Sequence, residues 1–205
     1  MPLAIHFQQE ARLLGVNNES TIIIYDNMGI YSSPRVWYMF KSMGHENVHV
    51  LDGGLPAWIK EENDVEKIKE ETYDIGNFTA VFDKGSTRST FDILQNIDTR
   101  KAQLIDARSE GRFNGTAPEP RAELKSGHIK GSLNIPFTKV LSEGKYKSKE
   151  ELKDLFNPDK PMIFTCGSGL TACIVLLGAE IANDSPKSVY DGSWTEWALT
   201  HNLLT

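Results

Sequence analysis

The sequence has 205 residues, two cysteines, a net charge of −6 and a pI near 5.4. That length supplies one large domain or two small ones, the acidic balance gives nucleic acid and anionic membranes no electrostatic hold, and two thiols make no disulfide framework. No apolar run approaches the roughly 18 residues of a membrane span, and Met1-Pro2-Leu3 lacks the basic and then apolar start of a secretory leader, so the cytoplasm is the expected compartment.

Ala4 to Leu14 places Ile5, Phe7, Ala11 and Leu14 at helical spacing and stops at Gly15. Thr21 to Tyr25 is rich in β-branched residues and predicts a buried strand of a parallel sheet. Asp26 to Ile30 reads as a loop, and Ser32 to Met43 as a helix with Pro34 in its first turn. Val48 to Leu51 is a second strand, after which Asp52-Gly53-Gly54 turns into a short helix through Trp58. Strand, helix, strand, helix in that order predicts a parallel sheet. From Lys60 to Asp74 ten residues of fifteen are charged, the composition of a solvated linker.

In the second half, Ser89 to Ile97 is a capped helix, Gln103-Leu104-Ile105 leads a strand into Asp106-Ala107-Arg108, and Gly127-His128-Ile129 opens a turn into a short strand before Pro136. Arg108, Arg112 and Arg121 lie between them, in a segment that Gly111, Gly115, Pro118 and Pro120 keep from forming a regular helix. Composition alone makes these arginines solvated charge with one structural ion pair. Ser148 and Glu151 form a capping box for a helix through Phe156. Pro161 to Thr165 is then an apolar strand, and Thr171 to Ile181 is apolar almost all round, the pattern of a buried helix.

The strand and helix are joined by Thr165-Cys166-Gly167-Ser168-Gly169-Leu170-Thr171-Ala172. Gly167 and Gly169 let the backbone curl so that its N–H groups converge, and the helix N-terminus adds its partial positive charge at the same point. A thiol held so titrates below its ordinary value of about 8.5, and the thiolate is the nucleophilic form. An arbitrary cysteine is more often structural, but the strand, Gly-rich loop and helix around Cys166 reverse that preference. Cys173 stays structural, since two helical turns, roughly 10 Å, separate it from Cys166 and put a disulfide out of reach. A cysteine phosphatase needs an arginine closing the loop, and a nucleotide P-loop needs a Gly-Lys-Ser/Thr ending; the loop has neither.

Asp26 lies 140 residues before Cys166, while Asp52 and Trp58 each lie 139 before Asp191 and Trp197. That register predicts two copies of one α/β unit, the first carrying Asp26 where the second carries Cys166. CGSGLT and DGSW, preceded by DAR, GRF, PEPR and GHI.GS.N.P, resemble the second domain of the two-domain rhodanese-like sulfurtransferases. Relatives that use thiosulfate carry basic residues inside the loop; this loop has none, so the resemblance is to the branch that uses 3-mercaptopyruvate.

The resemblance implies an α/β fold of tandem rhodanese-like domains, each a mostly parallel sheet flanked by helices. Residues 1–62 would be a partial, non-catalytic domain, 63–80 a linker and 81–205 the catalytic domain. In the second half 63 residues separate Gln103 from Cys166, whereas 25 precede Asp26. The first domain is therefore expected to lack its opening strand and turn, roughly 35 to 40 residues, and with them the His and Asp that in this family reach toward the loop serine. His6, His45, His49 and His201 match neither and read as surface or packing residues, as His128 reads as a tie within its turn and Trp194 and Trp197 as packing.

Carried onto this sequence, the family's roles make Cys166 the nucleophile and Ser168 a positioning or proton-relay group. Gly167, Gly169, Leu170 and Thr171 form the cradle, Arg112 and Arg121 clamp a substrate carboxylate, and Arg108 is structural. The implied reaction moves sulfur from 3-mercaptopyruvate through a cysteine persulfide to thioredoxin, glutathione, another thiol or cyanide. It releases pyruvate and needs no metal or cofactor. Thiosulfate as the donor, or a fragment that only carries persulfide sulfur, are the alternatives.

Overall fold

The stripe containing Phe7 and Ala11 folds as helix α1 (Ala4–Leu13), followed by β1 (Ile22–Ile24), α2 (Ser33–Ser42), β2 (Val48–Val50) and α3 (Gly54–Lys60). These elements belong to the first of two units, Met1–Lys84 and Gly85–Thr205, in a computed structural model that describes residues 1–67 and 72–203. β1 and β2 pair in parallel with Ile22 opposite Val48 and Ile24 opposite Val50. The expectation of a buried β1 is corrected: Ile23 is 61% exposed, because β2 is its only neighbour among the described residues.

The core of this unit is aromatic. Phe7 meets Phe40 edge-on at 4.9 Å, Phe78 lies 6.1 Å from Phe40, and the buried His45 ring packs 5.5 Å from Phe78 with its Nε2 2.8 Å from the Ser20 carbonyl. Phe78 lies in the stretch expected to be linker, 63–80, whose charged part falls partly outside the described residues. Its end is no linker: Gly76 N–H donates to Arg12 O, Phe78 N–H to Val16 O and Val81 N–H to Met43 O, at 2.9 to 3.1 Å. Burying the Phe78 ring stabilises the unit by about 1.5–3 kcal/mol, which outweighs the polarity of its neighbours. The boundary accordingly falls after Lys84 rather than at 80.

The second unit runs β3 (Thr87–Arg88), α4 (Thr90–Thr99), β4 (Gln103–Asp106), α5 (Glu110–Phe113), β5 (Leu133–Asn134), a 3-10 turn (Phe137–Val140), β6 (Leu141–Ser142), β7 (Lys145–Tyr146), α6 (Lys149–Lys153), β8 (Met162–Thr165), α7 (Thr171–Ala182), β9 (Lys187–Tyr190) and α8 (Ser193–Thr200). Both expected caps form: Ser89 with Asp92 opens α4, and Ser148 with Glu151 opens α6. The segment expected to be irregular does form one helical turn, α5, before Gly115 at φ +76° leaves it.

A five-stranded sheet organises this unit, in the order β3-β9-β8-β4-β5 with every pair parallel, and β6 and β7 pair apart from it as an antiparallel hairpin. Ile93 of α4, Leu104, Ile163, Tyr190, Trp194 and Trp197 fill one side of it. α7 crosses from β8 to β9 with Ala172 through Leu176 all buried, the environment its apolar composition demands. In the central pair, Asp106 of β4 lies opposite Thr165 of β8, so Ala107 and Cys166 leave the sheet side by side. The carboxyl ends of neighbouring parallel strands are where α/β sheets present their loops to ligands.

Candidate active site

Every residue of β8 is buried, and the chain leaves it into Cys166, itself 2% exposed. The loop then turns back through Gly169, whose φ of +84° suits a residue without a Cβ. That turn brings the Gly169 N–H to within 3.1 Å of Cys166 Sγ, to which it donates. Leu170 is the N-cap of α7 and supplies no side-chain cap, while its carbonyl accepts from the Cys173 N–H at 3.1 Å. Ser168 is exposed at the loop tip, and Leu170 and Thr171 are half-buried at its helical end. Cys173 is fully buried and donates its thiol to Gly169 O at 3.3 Å, a bond that steadies the turn from below.

The back of the loop is held by the start of α8, a role sequence reasoning did not assign. The Cys166 N–H donates to Ser193 Oγ at 3.2 Å, and Ser193 Oγ donates onward to Tyr190 O at 2.9 Å. Trp194 N–H donates to Cys166 O at 2.9 Å, while Thr195 donates to Gly167 O from both its N–H at 3.1 Å and its hydroxyl at 2.8 Å. Helix N-termini have unpaired N–H groups, and α8 spends them on the carbonyls of the cysteine loop. The signal was present in the DGSW motif, which the sequence registers as a turn but whose partner only the fold reveals.

Of the two arginines expected to clamp a substrate carboxylate, Arg112, on α5, is the one that lies at this loop. A Cβ built on Gly167 would stand 2.8 Å from its Nη2, so the end of the guanidinium lies against the loop backbone. Arg112 also forms a two-bond pair with Glu119, Nε to Oε1 at 3.1 Å and Nη2 to Oε2 at 2.5 Å. Behind it Arg108, with no side-chain exposure, pairs with Asp106 at 2.6 Å and with Glu119 at 2.8 Å, and lies over the Trp194 ring at 4.4 Å. Arg121 is exposed, and its guanidinium makes no hydrogen bond among the described residues. Sequence reasoning missed Glu119, although the PEPR motif displays it between two prolines.

The remaining aromatic residues and histidines keep the packing roles given to them. Trp194 is buried and donates its Nε1–H to Lys125 O at 2.9 Å, and His201 stacks on Trp197 at 4.0 Å. His128 stacks on Phe113 at 4.1 Å, with Nδ1 3.0 Å from the Phe113 carbonyl. No described helix is long and apolar enough to cross a membrane.

In the first unit the loop after β1 holds an anion of its own. Asp26 Oδ2 accepts from the N–H groups of Tyr31, Ser32 and Ser33 and from the Ser33 hydroxyl at 2.8 to 3.0 Å, and Oδ1 accepts from Met28 N–H at 2.8 Å. Partial burial works to raise its pKa, but these hydrogen bonds outweigh it and hold the carboxyl below its ordinary range.

The rhodanese-like domain family profile matches residues 1–61 and 90–200. A mouse protein named 3-mercaptopyruvate sulfurtransferase is 46% identical over 207 residues, 97% of this chain and 69% of that protein. A thiosulfate sulfurtransferase from Cricetulus griseus is 39% identical over 206 residues, 96% of this chain and 69% of that one. Among solved structures, the Escherichia coli protein SseA, described as a 3-mercaptopyruvate sulfotransferase with the rhodanese fold, superposes with a TM-score of 0.84 at 36% identity, over 95% of this chain and 74% of that one.

Proposed function

The chain belongs to the family of rhodanese-like sulfurtransferases, and from that premise we propose that it moves sulfur from 3-mercaptopyruvate to a thiol through a persulfide on Cys166. The observation that carries this reading is the Gly169 N–H donated to Cys166 Sγ at 3.1 Å beside the N-terminus of α7, which sets the one sulfur of the loop against a backbone donor at the carboxyl end of β8. The thiolate attacks the thiol sulfur of 3-mercaptopyruvate. The carbon–sulfur bond breaks, and its electron pair leaves with the three-carbon fragment as the enolate of pyruvate. The substrate thiol proton is conserved by returning to that carbon, for which the exposed hydroxyl of Ser168 is the relay or positioning group. Gly167, Gly169, Leu170 and Thr171 stabilise charge on sulfur throughout.

A planar carboxylate matches a guanidinium fork, so Arg112 at the loop and the unpaired Arg121 hold the donor. In the second half-reaction an acceptor thiolate attacks the outer sulfur and Cys166 leaves as thiolate, ready for the next donor. Thioredoxin or glutathione, or cyanide in an assay, fits this step, and a reducing compartment such as the cytoplasm keeps Cys166 available.

Thiosulfate is the second reading, favoured by the 39% identity to the Cricetulus griseus protein. The CGSGLT loop, with no cation to meet a second sulfur oxyanion, argues for 3-mercaptopyruvate. Intact mass after treatment with each donor tests both: 3-mercaptopyruvate is expected to add one sulfur, about 32 Da, to the chain and not to Cys166→Ser. Loading by thiosulfate alone would reverse the order of the two readings, and loading of Cys166→Ser would refute the nucleophile.

A further inference from the structure

We propose that Glu119 is a positioning residue: it ties Arg112 to the buried Arg108, so that the donor carboxylate meets the Nη1/Nη2 edge of Arg112 and no other. The inference rests on the mercaptopyruvate reading above and concerns how that donor is oriented.

The chain of contacts begins at the end of β4. Arg108 is held on several sides: its Nε donates to both Asp106 oxygens at 3.1 Å, its Nη2 to Asp106 Oδ2 and to Gly127 O at 2.6 Å, and its side chain has no exposure. Its Nη1 donates to Glu119 Oε1 at 2.8 Å, and Glu119 is as deeply buried, with 3% of its side chain exposed. Pro118 and Pro120 narrow the backbone choices on either side of Glu119, which limits its freedom before any contact forms. Arg112 is the outermost member, 24% exposed, with Nε and one Nη2 hydrogen bound to the two Glu119 oxygens.

A guanidinium has five N–H donors in one plane. Glu119 takes one from Nε and one from Nη2, which leaves both Nη1 hydrogens and the second Nη2 hydrogen. That remaining edge is itself a fork matched to a carboxylate, and Nη2 lies against Gly167, one residue from the nucleophile. A donor bound there is held at a fixed distance and direction from Cys166. Without Glu119 the same arginine is a long rotor, and the donor has to order it on binding.

The charges reinforce this. Asp106, Arg108, Glu119 and Arg112 sum to zero, so the cluster itself offers an incoming carboxylate geometry rather than net attraction. Net positive charge would come from Arg121, two residues after Glu119 on the same strap and without a partner among the described residues. Glu119 thus assigns different work to the two arginines, direction to Arg112 and charge to Arg121.

The test is steady-state kinetics on the full chain with 3-mercaptopyruvate and with its methyl ester, which lacks the anionic carboxylate. Glu119→Gln is expected to raise KM for the acid about tenfold while leaving kcat within about threefold and the ester unaffected. The double variant Glu119→Gln with Arg112→Ala is expected to be no worse than Arg112→Ala alone, because Glu119 acts through Arg112. Equal losses for acid and ester, or losses that multiply in the double variant, would overturn the proposal. Should Glu119→Gln fail to fold, Arg112→Lys decides: it keeps the charge and leaves the pair between Arg108 and Glu119 intact but has no fork, so a KM unchanged from wild type overturns the proposal and about a tenfold rise supports it. A wild-type chain that gains no sulfur from 3-mercaptopyruvate would overturn the functional reading and this one together, whereas wild-type turnover with multiplicative losses overturns this one alone.

Discussion

Replacing Ser193 with alanine should loosen the cysteine loop from behind without touching the reacting atoms. Ser193 is fully buried and makes two bonds through its hydroxyl, one accepted from Cys166 N–H at 3.2 Å and one donated to Tyr190 O at 2.9 Å. An orphaned buried N–H costs about 2 kcal/mol and the second bond about 1, so Ser193→Ala should destabilise the second unit by about 3 kcal/mol. Ser193 also sits at φ +53°, where a side chain is strained relative to glycine. Ser193→Gly loses the same hydroxyl but relieves that strain and should come out about 1 kcal/mol more stable than Ser193→Ala. Urea unfolding gives the two differences, hydrogen exchange at the Cys166 amide reports the loosened loop directly, and the rate of sulfur loading should fall by about tenfold or more as the nucleophile loses its fixed position. An alanine variant with unchanged Cys166 amide protection, or a glycine variant less stable than the alanine one, would refute the account.

Cys173→Ser should keep sulfur loading and cost about 1 kcal/mol of stability, since a hydroxyl can still reach Gly169 O but is less suited to a buried apolar helix; loss of loading at normal stability would give Cys173 a chemical role. Arg121→Ala should lower kcat/KM for 3-mercaptopyruvate by about 2 kcal/mol equivalent and leave unfolding unchanged, because its exposed guanidinium has no described partner; equal loss with the methyl ester would count against a clamp. Asp26→Asn should destabilise the first unit by about 2 kcal/mol at neutral pH. The folded-state pKa of Asp26 lies below its ordinary 3.8, so its contribution is present above that value and is lost as pH falls through the lower folded one. The gap between the wild type and Asp26→Asn should therefore close in acid, read from unfolding curves on the buried Trp37, and a gap constant down to pH about 2 would refute the account.

The parallel order, the capping box of Ser148 with Glu151, the capped helix from Ser89, and the strand, loop and helix around Cys166 were legible because each is written in contiguous residues. Apolar runs bounded by glycine, proline or a capping pair carry their own geometry. Partnerships across the chain were not. Glu119 in PEPR reads as one more surface charge until β4 brings Arg108 beneath it, and Ser193 reads as a turn residue until the end of β8 supplies the Cys166 N–H. Phe78 follows a run dominated by charge, and no periodicity announces that Arg12, Val16 and Met43 will hold Gly76, Phe78 and Val81. The hairpin of β6 and β7 also went unread: its strands are two residues each, too short for alternation, and its turn is marked only by Glu143 and Gly144 at φ +49° and +82°.

The hydrogen-bonded carboxylate of Asp26 gives every molecule an internal reference. A cysteine sulfur reacts with oxidants and alkylating agents, which makes it a poor probe of its own surroundings. Asp26, at the corresponding place in the repeat, is chemically inert, and a carbon-13 titration of its carboxyl would report how strongly a ring of four backbone N–H groups stabilises a fixed negative charge. Salt, temperature or a solvent change that weakens such a ring would appear as an upward drift of that one pKa. A fall in sulfur loading without that drift would then point to the thiol itself rather than to the polarity of the turns that the two halves of the repeat have in common.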